Sequence, residues 1–292
     1  MNKKHRLRLN FGFTLLLITL MVIVSGCGKT ATPTPQTTET PKPANPNIIL
    51  ATTTSTQDSG LLEVLIPEFE KKTGYKVQTI AVGTGAALAM GEKGDADVML
   101  VHAPDSEKKL VDNKTAINYQ LVMHNDFVIV GPSTDPAKVK ETKTVVDAFK
   151  GIAASSSIFV TRGDDSGTDK MEKALWKKAS VKPAADKYQS TGQGMGQTLT
   201  IASEKAAYTL TDRATYLATK KNLKLDILLE GETSLLNIYH VMQVNPEKFP
   251  KVNADGAKAF VDFMINADTQ KLIADFGKDK YGQPLFFADA GK

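Results

Sequence analysis

The chain has 292 residues, with 36 Lys and Arg against 32 Asp and Glu, for a formal net charge of +4. This length suits about two domains with a sizeable core, and 41% hydrophobic residues exclude a disordered chain. A single Cys excludes an internal disulfide framework and a zinc site built on several Cys, and none of the four His is spaced as HxxxH. We therefore expect no bound metal cation and no cofactor.

The first 26 residues have the pattern of a secretory signal peptide. Four basic residues within the first ten are followed by an apolar run over 11–24 and then by Ser25, Gly26 and Cys27. The run is too short to span a bilayer; a tail anchor or a buried helix is the alternative. Residues 24–27 resemble a bacterial lipobox, which implies cleavage before Cys27 and a lipid on its thiol. The lipid would hold the protein at the outer face of the cytoplasmic membrane, or at the periplasmic side of an envelope membrane.

The positive charge belongs to this signal. Removing residues 1–26 removes its four basic residues and no acidic one, which leaves 32 of each sign. The mature chain is then formally neutral, so its charge does not indicate a nucleic acid as partner. Residues 27–46 are rich in Thr and Pro and are predicted to form an extended, solvated tether, and the folded part begins near Asn47.

Strands and helices alternate through the folded part, with a polar loop predicted over 52–59 and a tight turn over 83–85. The predicted strands and extended stretches are 48–51, 75–82, 96–102, 118–130, 158–161, 206–210, 225–229 and 235–244. The predicted helices are 61–72, 86–92, 144–153, 168–178, 196–204, 255–266 and 268–276. The initial βαβα order favours a parallel sheet covered by helices.

The two long extended stretches divide the folded part into two α/β lobes. We predict that residues 47–130 and 239–292 form the first lobe and that residues 131–238 form the second. Ligands of open α/β sheets bind outside the carboxyl ends of the strands, so the residues that follow each strand are the candidates for a site in the cleft.

The first two strands both deliver hydroxyl groups to the start of a helix. Residues 52–56 are four Thr and one Ser in a row, and hydroxyls beside free helix N–H groups suit an anion. Helix capping alone is the alternative, although capping needs only one or two hydroxyls. After the second strand, Gly83 and Gly85 let a ligand approach the backbone and Thr84 adds a hydroxyl, with a plain turn as the alternative.

The strand over 158–161 delivers a permanent cation and a helix start together. Arg162 has a planar fork of donors, and residues 166–168 (Ser-Gly-Thr) add hydroxyls and N–H groups. Asp164 and Asp165 are candidates to orient Arg162. The alternative is a polar turn with a helix cap.

Two further segments are weaker candidates. Residues 191–196 (TGQGMG) precede a helix and offer Gly194 and Met195 as weaker ligand contacts. They are not a dinucleotide fingerprint, because the spacing is GxGxG and no strand clearly precedes them. Residues 208–213 end another strand, and a folded turn with a surface ion pair explains them equally well.

Six segments in order resemble the tungstate-binding proteins of bacterial ABC importers, and the resemblance extends from about Asn47 to the C-terminus. They are ATTTSTQDSGLL, VGTGAALAMGEKGDADVMLVHAP, NDFVIVGPSTDP, TRGDDSGTDKME, GQGMGQTL and AYTLTDRATY. The resemblance implies a two-lobed type II periplasmic-binding-protein fold, with mixed sheets, helices on both faces and a hinged central cleft. The family's Thr-Thr-Thr-Ser motif matches residues 52–55, and its binding Arg matches Arg162. Asp169 departs from the pattern, because many members have His there.

The resemblance also implies capture of a tetrahedral oxyanion without chemistry. Tungstate is the expected ligand, with molybdate or phosphate as alternatives, and an ABC permease and an ATPase are the expected partners of a monomer. The expected contacts are Thr53, Thr54, Ser55 and Thr84 from the first lobe and Arg162, Ser166, Gly167 and Thr168 from the second.

The rival class is a lipid-anchored hydrolase. Ser166 would be its nucleophile, and His102, His124 or His240 its base. The GxSxG pattern of a nucleophile elbow is missing around Ser166, so we expect a binding protein rather than an enzyme.

Overall fold

The computed structural model describes residues 43–292, which lie within one compact unit, Thr40–Lys292. The predicted signal peptide, Cys27 and most of the predicted tether lie outside the described residues. Among the helices of residues 43–292, none is both long enough and apolar enough to cross a membrane.

Strands and helices alternate along the described part of the chain, as predicted. The strands are β1 Asn47–Thr53, β2 Lys76–Val82, β3 Val98–Val101, β4 Ala116–Gly131, β5 Phe159–Thr161, β6 Tyr188–Ser190, β7 Thr209–Asp212, β8 Asp226–Leu229, β9 Leu236–Val244 and β10 Phe287–Ala288. The helices are α1 Thr54–Asp58, α2 Leu61–Thr73, α3 Thr84–Lys93, α4 Pro104–Asp112, α5 Val145–Ala154, α6 Gly167–Ala179, α7 Met195–Glu204, α8 Arg213–Thr219, α9 Ala254–Ile265, α10 Ala267–Asp275 and α11 Lys278–Tyr281.

One mixed sheet runs through the fold in the order β10-β4-β9-β3-β1-β2. Strands β1, β2 and β3 are parallel to one another, whereas β9 is antiparallel to both β3 and β4. Strand β4 changes partners along its length: it pairs with β9 as far as Asp126, and from Phe127 onward it pairs with β7 and β8. Strands β5 and β6 form a separate parallel pair.

We call the part built on β1, β2, β3, β9 and β10 the first lobe, and the part built on β5 to β8 the second lobe. Strands β4 and β9 cross between them. The lobe boundaries predicted at 130/131 and 238/239 fall within these two strands and stay predictions.

Alternation along the strands places helices on both faces of the first lobe. Ile48 and Leu50 point to one side of β1 and pack with α2 and α9, through residues such as Leu65 and Phe260. Ala51 points to the other side and packs with α3 and α4. Both faces of these parallel strands are thus buried, which explains why the sequence shows a short continuous apolar run there.

The second lobe repeats this arrangement around the end of β4. Phe127 and Ile129 pack against α5 and α6, in a cluster that contains Trp176. Val128 and Val130 face the opposite side and pack against α7 and α8. One strand with a period of two therefore supplies two separate cores.

Three sequence predictions of local structure were wrong. Residues 52–59 are not a loop, because β1 extends to Thr53 and a short helix α1 follows, with Thr53 as its N-cap. A strand does precede residues 191–196, namely β6, which has only three residues and carries no apolar alternation. Helix α4 was also missed; its Pro104 lies in the first turn, where proline is tolerated.

Candidate functional site

Arg162 lies at the carboxyl end of β5 and reaches the opposite lobe. It is only 2% exposed. Its Nη2 donates to Thr54 Oγ1 of the first lobe at 2.9 Å and to Asp164 Oδ2 at 2.6 Å, and its Nε donates to the Gln193 carbonyl at 3.2 Å. Its Nη1 is buried and has no hydrogen-bond partner within the described residues. The guanidinium is therefore held by three hydrogen bonds, and its Nη1, with two N–H groups, remains for a ligand.

The start of α6 brings the two hydroxyl loops together. Ser166 caps the helix by accepting from Asp169 N at 3.1 Å. Gly167 N donates to Thr84 Oγ1 of the first lobe at 2.9 Å. The hydroxyl of Thr168 is buried and, like Arg162 Nη1, has no partner within the described residues. The predicted residues of both lobes therefore meet, with unsatisfied polar groups among them.

The hydroxyls after β1 form a small buried network with His102. Thr53 Oγ1 lies 3.1 Å from Ser55 Oγ and 2.7 Å from Thr56 Oγ1. His102 Nε2 lies 3.1 Å from Thr53 Oγ1 and 3.2 Å from Ser55 Oγ. Burial, together with the nearby positive charge of Arg162, lowers the pKa of His102 to about 4, despite its hydrogen bond with Asn237. The imidazole is therefore neutral at ordinary pH, and its contacts hold the hydroxyls in place.

Two aspartates shape the loop that carries Arg162. Asp164 accepts from Arg162 and from Ser166 N, so it orients the cation as predicted. Asp165 does not: it pairs with Lys170 at the surface. Asp169, the residue that departs from the family pattern, is buried and accepts from the N–H groups of Gly163 and Asp165 at 3.1 and 3.2 Å. Its carboxylate therefore holds the same loop from behind.

The weaker candidates Gly194 and Met195 differ in their positions. Gly194 precedes α7 and lies against Thr54: a Cβ there would be 3.3 Å from the Thr54 side chain. The side chain of Met195 is buried in the core of the second lobe, so only its backbone is available at the cleft. Gly196 N donates across the cleft to Asp58 Oδ2 at 3.1 Å.

Sequence reasoning missed several residues of this region. Asp212, which ends β7, is fully buried and caps α8. Thr215 Oγ1, one turn later, donates to the Ser55 carbonyl at 3.2 Å. His102 and Asp212 each stand at the carboxyl end of a strand, so the rule that identified Arg162 applies to their positions but assigns them no role. Arg213, in the segment for which a turn with an ion pair was the alternative, pairs with Asp126 and Glu230.

Behind this loop, α6 carries a buried acid whose titration affects stability. Glu172 Oε1 accepts from Trp176 Nε1 at 2.9 Å and from Tyr188 Oη at 2.6 Å. Burial raises the pKa of Glu172 to about 7. Because the folded state then binds a proton that the unfolded state has lost, the free energy of unfolding falls as pH rises from about 4.5 to 7.

We expect Glu172→Gln to reduce this loss of stability. The amide oxygen accepts from the same two donors without a charge. The midpoint temperature of wild-type thermal unfolding should decrease when the pH is raised from 5 to 8. In the variant this decrease should be smaller by roughly 5 °C. Differential scanning calorimetry of both proteins at pH 5 and at pH 8 measures these midpoint temperatures. A midpoint difference between pH 5 and pH 8 that is the same in both proteins would contradict the assignment.

The donor set suits an anion and not a metal cation. A buried guanidinium, hydroxyls and the N-terminus of a 13-residue helix converge from two lobes. Within residues 43–292, no group of three or more His, Cys, Asp and Glu is placed to hold a metal ion. Fold and site together define the class of two-lobed α/β binding proteins with the candidate site in the cleft.

Comparison with known proteins is consistent with this class. A family model described as a PBP superfamily domain matches residues 32–268. The tungstate-binding protein TupA of Peptoclostridium acidaminophilum is 49% identical over 248 residues, which cover 84% of this chain and 87% of that protein. The chain therefore belongs to the PBP superfamily and, within it, to the family of that relative.

Two solved structures resemble the fold. The tungstate ABC transporter from Geobacter sulfurreducens is 49% identical, with a TM-score of 0.73 over 79% of this chain and 98% of that chain. The tungstate binding protein TupA from Desulfovibrio alaskensis G20 is 47% identical, with a TM-score of 0.70 over 84% and 99%. The predicted α/β fold with mixed sheets and helices on both faces is confirmed.

Proposed function

We propose that this protein is the extracytoplasmic substrate-binding component of an ABC importer, and that its ligand is a tetrahedral oxyanion, with tungstate preferred. The observation that carries the proposal is the pair of buried polar groups without partners, Arg162 Nη1 and Thr168 Oγ1. Buried donors are nearly always satisfied, and an oxyanion bound beside them would satisfy both. The names of the relatives support tungstate among such anions.

The proposed contacts come from both lobes. Residues 53–55 and Thr84 supply the first lobe's hydroxyls, and Arg162 with residues 166–168 supplies the second lobe's donors. The backbone at Gly194 and Met195 is a further candidate. Hydrogen bonds to a charged group contribute roughly 1.5–3 kcal/mol each, so a handful of them approaches the roughly 12 kcal/mol of nanomolar binding. Strands β4 and β9 are the proposed hinge, about which the lobes close on the ligand.

The environment of Asp164 favours an anion without a proton. A carboxylate facing the ligand would accept a hydrogen bond from the O–H of protonated phosphate and so select that ligand. Both Asp164 oxygens are instead engaged, by Arg162 Nη2 and by Ser166 N. Tungstate and molybdate therefore fit the loop around Arg162 better than protonated phosphate does.

We infer that the protein is not an enzyme. Ser166, the nucleophile of the rival hydrolase, caps α6 with its hydroxyl oxygen, and no His or carboxylate side chain among the described residues accepts from that hydroxyl. The related proteins are named for binding and transport.

Competitive isothermal titration calorimetry with tungstate, molybdate, sulfate and phosphate tests the proposed function. We expect tight 1:1 binding of tungstate, comparable or weaker binding of molybdate, and much weaker binding of sulfate and phosphate. Absence of heat with all four anions would refute oxyanion binding, and tightest binding of phosphate would refute the proposed selectivity.

The proposed partners are a permease and an ATPase, and the proposed state is a monomer anchored through lipid on Cys27. We expect Cys27→Ser to move the protein from the membrane fraction to the soluble fraction without changing tungstate affinity. Fractionation followed by immunoblotting measures this, with the exposed substitution Lys177→Ala as control. Retention of Cys27→Ser in the membrane fraction would refute the anchor.

A further inference from the structure

Asp212 is a buried carboxylate with one oxygen unsatisfied. The side chain is fully buried at the end of β7. Its Oδ1 accepts from Thr215 N at 2.8 Å and lies 3.4 Å from Asn125 Nδ2. Its Oδ2 is buried and has no hydrogen-bond partner within the described residues. A native structure leaves few such groups, and each needs a physical explanation.

Contacts on both sides connect Asp212 to the candidate site. Thr215, whose N–H holds Oδ1, donates its own hydroxyl to the carbonyl of Ser55. On the other side, Asn125 Oδ1 accepts from Asn237 Nδ2 at 2.8 Å, and Asn237 Oδ1 lies 2.8 Å from His102 Nδ1. His102 in turn contacts the hydroxyls that follow β1. The carboxylate thus belongs to the polar interior directly behind the proposed anion contacts.

The charges around Asp212 are few. Arg162 is the cation that acts on it, and this attraction favours the ionised form. Tyr239 stays neutral, because burial raises its pKa well above the ordinary value. His102 is neutral above about pH 4. Burial outweighs the attraction of Arg162 and raises the pKa of Asp212 to about 6. Near pH 7 the ligand-free protein therefore holds a charged Asp212.

We propose that Asp212 links oxyanion capture to the uptake of one proton. A dianion entering the cleft places two negative charges near the carboxylate and favours its neutral form. An oxyanion without a proton has none to give, so the proton comes from the solvent. The neutral acid removes one negative charge from the closed cleft and turns Oδ2 from an acceptor into a hydroxyl group. This inference rests on the proposed function and assigns a proton-binding residue to the polar interior behind the same site.

Proton uptake is measured by titrating tungstate into the protein at pH 7 in two buffers of different ionisation enthalpy. We expect close to one proton taken up per anion bound. We also expect the dissociation constant to rise by up to about tenfold per pH unit between pH 6.5 and 8.5. Binding without proton uptake in the wild-type protein would overturn the proposal.

Asp212→Asn is the informative variant. Its amide oxygen still accepts from Thr215 N, and its side chain is neutral at every pH. We expect proton uptake near zero, a dissociation constant that hardly changes with pH, and tungstate affinity at pH 8.5 at least tenfold above that of the wild type. Asp212→Ser keeps a hydroxyl that can cap α8, and we expect the same proton uptake and pH dependence as for Asp212→Asn. It replaces Asp212→Asn in the test if that variant does not fold.

Glu172→Gln is the matched control, because Glu172 also has a raised pKa but lies in the core of the second lobe. Its proton uptake should equal that of the wild type. Uptake that persists in Asp212→Asn would assign the proton elsewhere, with His102 the first candidate, and would overturn the proposal. Failure of the wild-type protein to bind tungstate would instead refute the proposed function itself.

Discussion

Arg162→Ala is expected to weaken tungstate binding by about 10³-fold. The substitution removes the buried cation and the free Nη1 donor, and two charge-assisted hydrogen bonds lost together amount to about 4 kcal/mol. It also leaves Asp164, whose side chain is 16% exposed, without its counter-charge. Titration calorimetry measures the affinity, and unfolding of the ligand-free protein shows whether the fold is kept.

A pair of Lys variants separates the charge of Arg162 from its geometry. Arg162→Lys keeps the charge but loses the planar fork that reaches Thr54, Asp164 and the Gln193 carbonyl together, so we expect at least a tenfold loss of affinity. The matched control is Arg213→Lys, since Arg213 also forms ion pairs but lies outside the proposed contacts. It should stay within about twofold of the wild type. Wild-type affinity in both Arg162 variants would contradict the site assignment.

Gly167→Ala is expected to weaken tungstate binding by about 10- to 100-fold, because it obstructs closure. A Cβ at Gly167 would lie 2.7 Å from His102 Cε1 and 3.1 Å from the His102 carbonyl oxygen. These two residues belong to different lobes, so the added methyl group clashes only when the lobes meet. Small-angle scattering should then show less compaction on addition of tungstate than in the wild type.

Gly151→Ala is the contrasting control for this effect. Its Cβ would lie 2.9 Å from the Ala137 carbonyl oxygen, and both residues belong to the second lobe. It should lower the free energy of unfolding and leave tungstate affinity nearly unchanged. Gly167→Ala should instead weaken tungstate binding and leave the free energy of unfolding nearly unchanged. If Gly167→Ala bound tungstate like the wild type, the contact between Gly167 and His102 would not be part of the bound state.

How much the sequence could predict depends on how local each signal is. Residues 52–56 and Arg162 could be predicted as site residues, because each directly follows a predicted strand and has side chains that suit an anion. The role of Asp212 could not be predicted in this way. It depends on Asn125 and Thr215, which contact one carboxylate oxygen and leave the other without a hydrogen bond among the described residues. Whether a buried polar group has a hydrogen-bond partner depends on the three-dimensional fold, and residue spacing along the chain does not predict it.

The secondary structure shows the same limit. The amphipathic helix at 61–72 was predicted nearly to its ends, because Leu61, Leu65 and Phe69 face one core. Strand β6 was missed, because three residues pairing with β5 have no pattern of their own. Helix α1 was missed because hydroxyl residues favour turns in isolation, and its cap at Thr53 becomes visible only when the end of β1 is known.

The point where the chain enters the fold has a mechanical consequence. Lys76 N donates to the Pro46 carbonyl at 2.7 Å, and Asn253 Nδ2 donates to the Asn45 carbonyl at 2.9 Å. Both contacts lie at the amino end of β1, the edge of the sheet opposite the carboxyl ends that build the cleft. A pull on the chain before residue 45 is therefore borne by the first lobe alone. In the proposed lipid-anchored state, the second lobe therefore carries no load and stays free to move about the proposed hinge of β4 and β9.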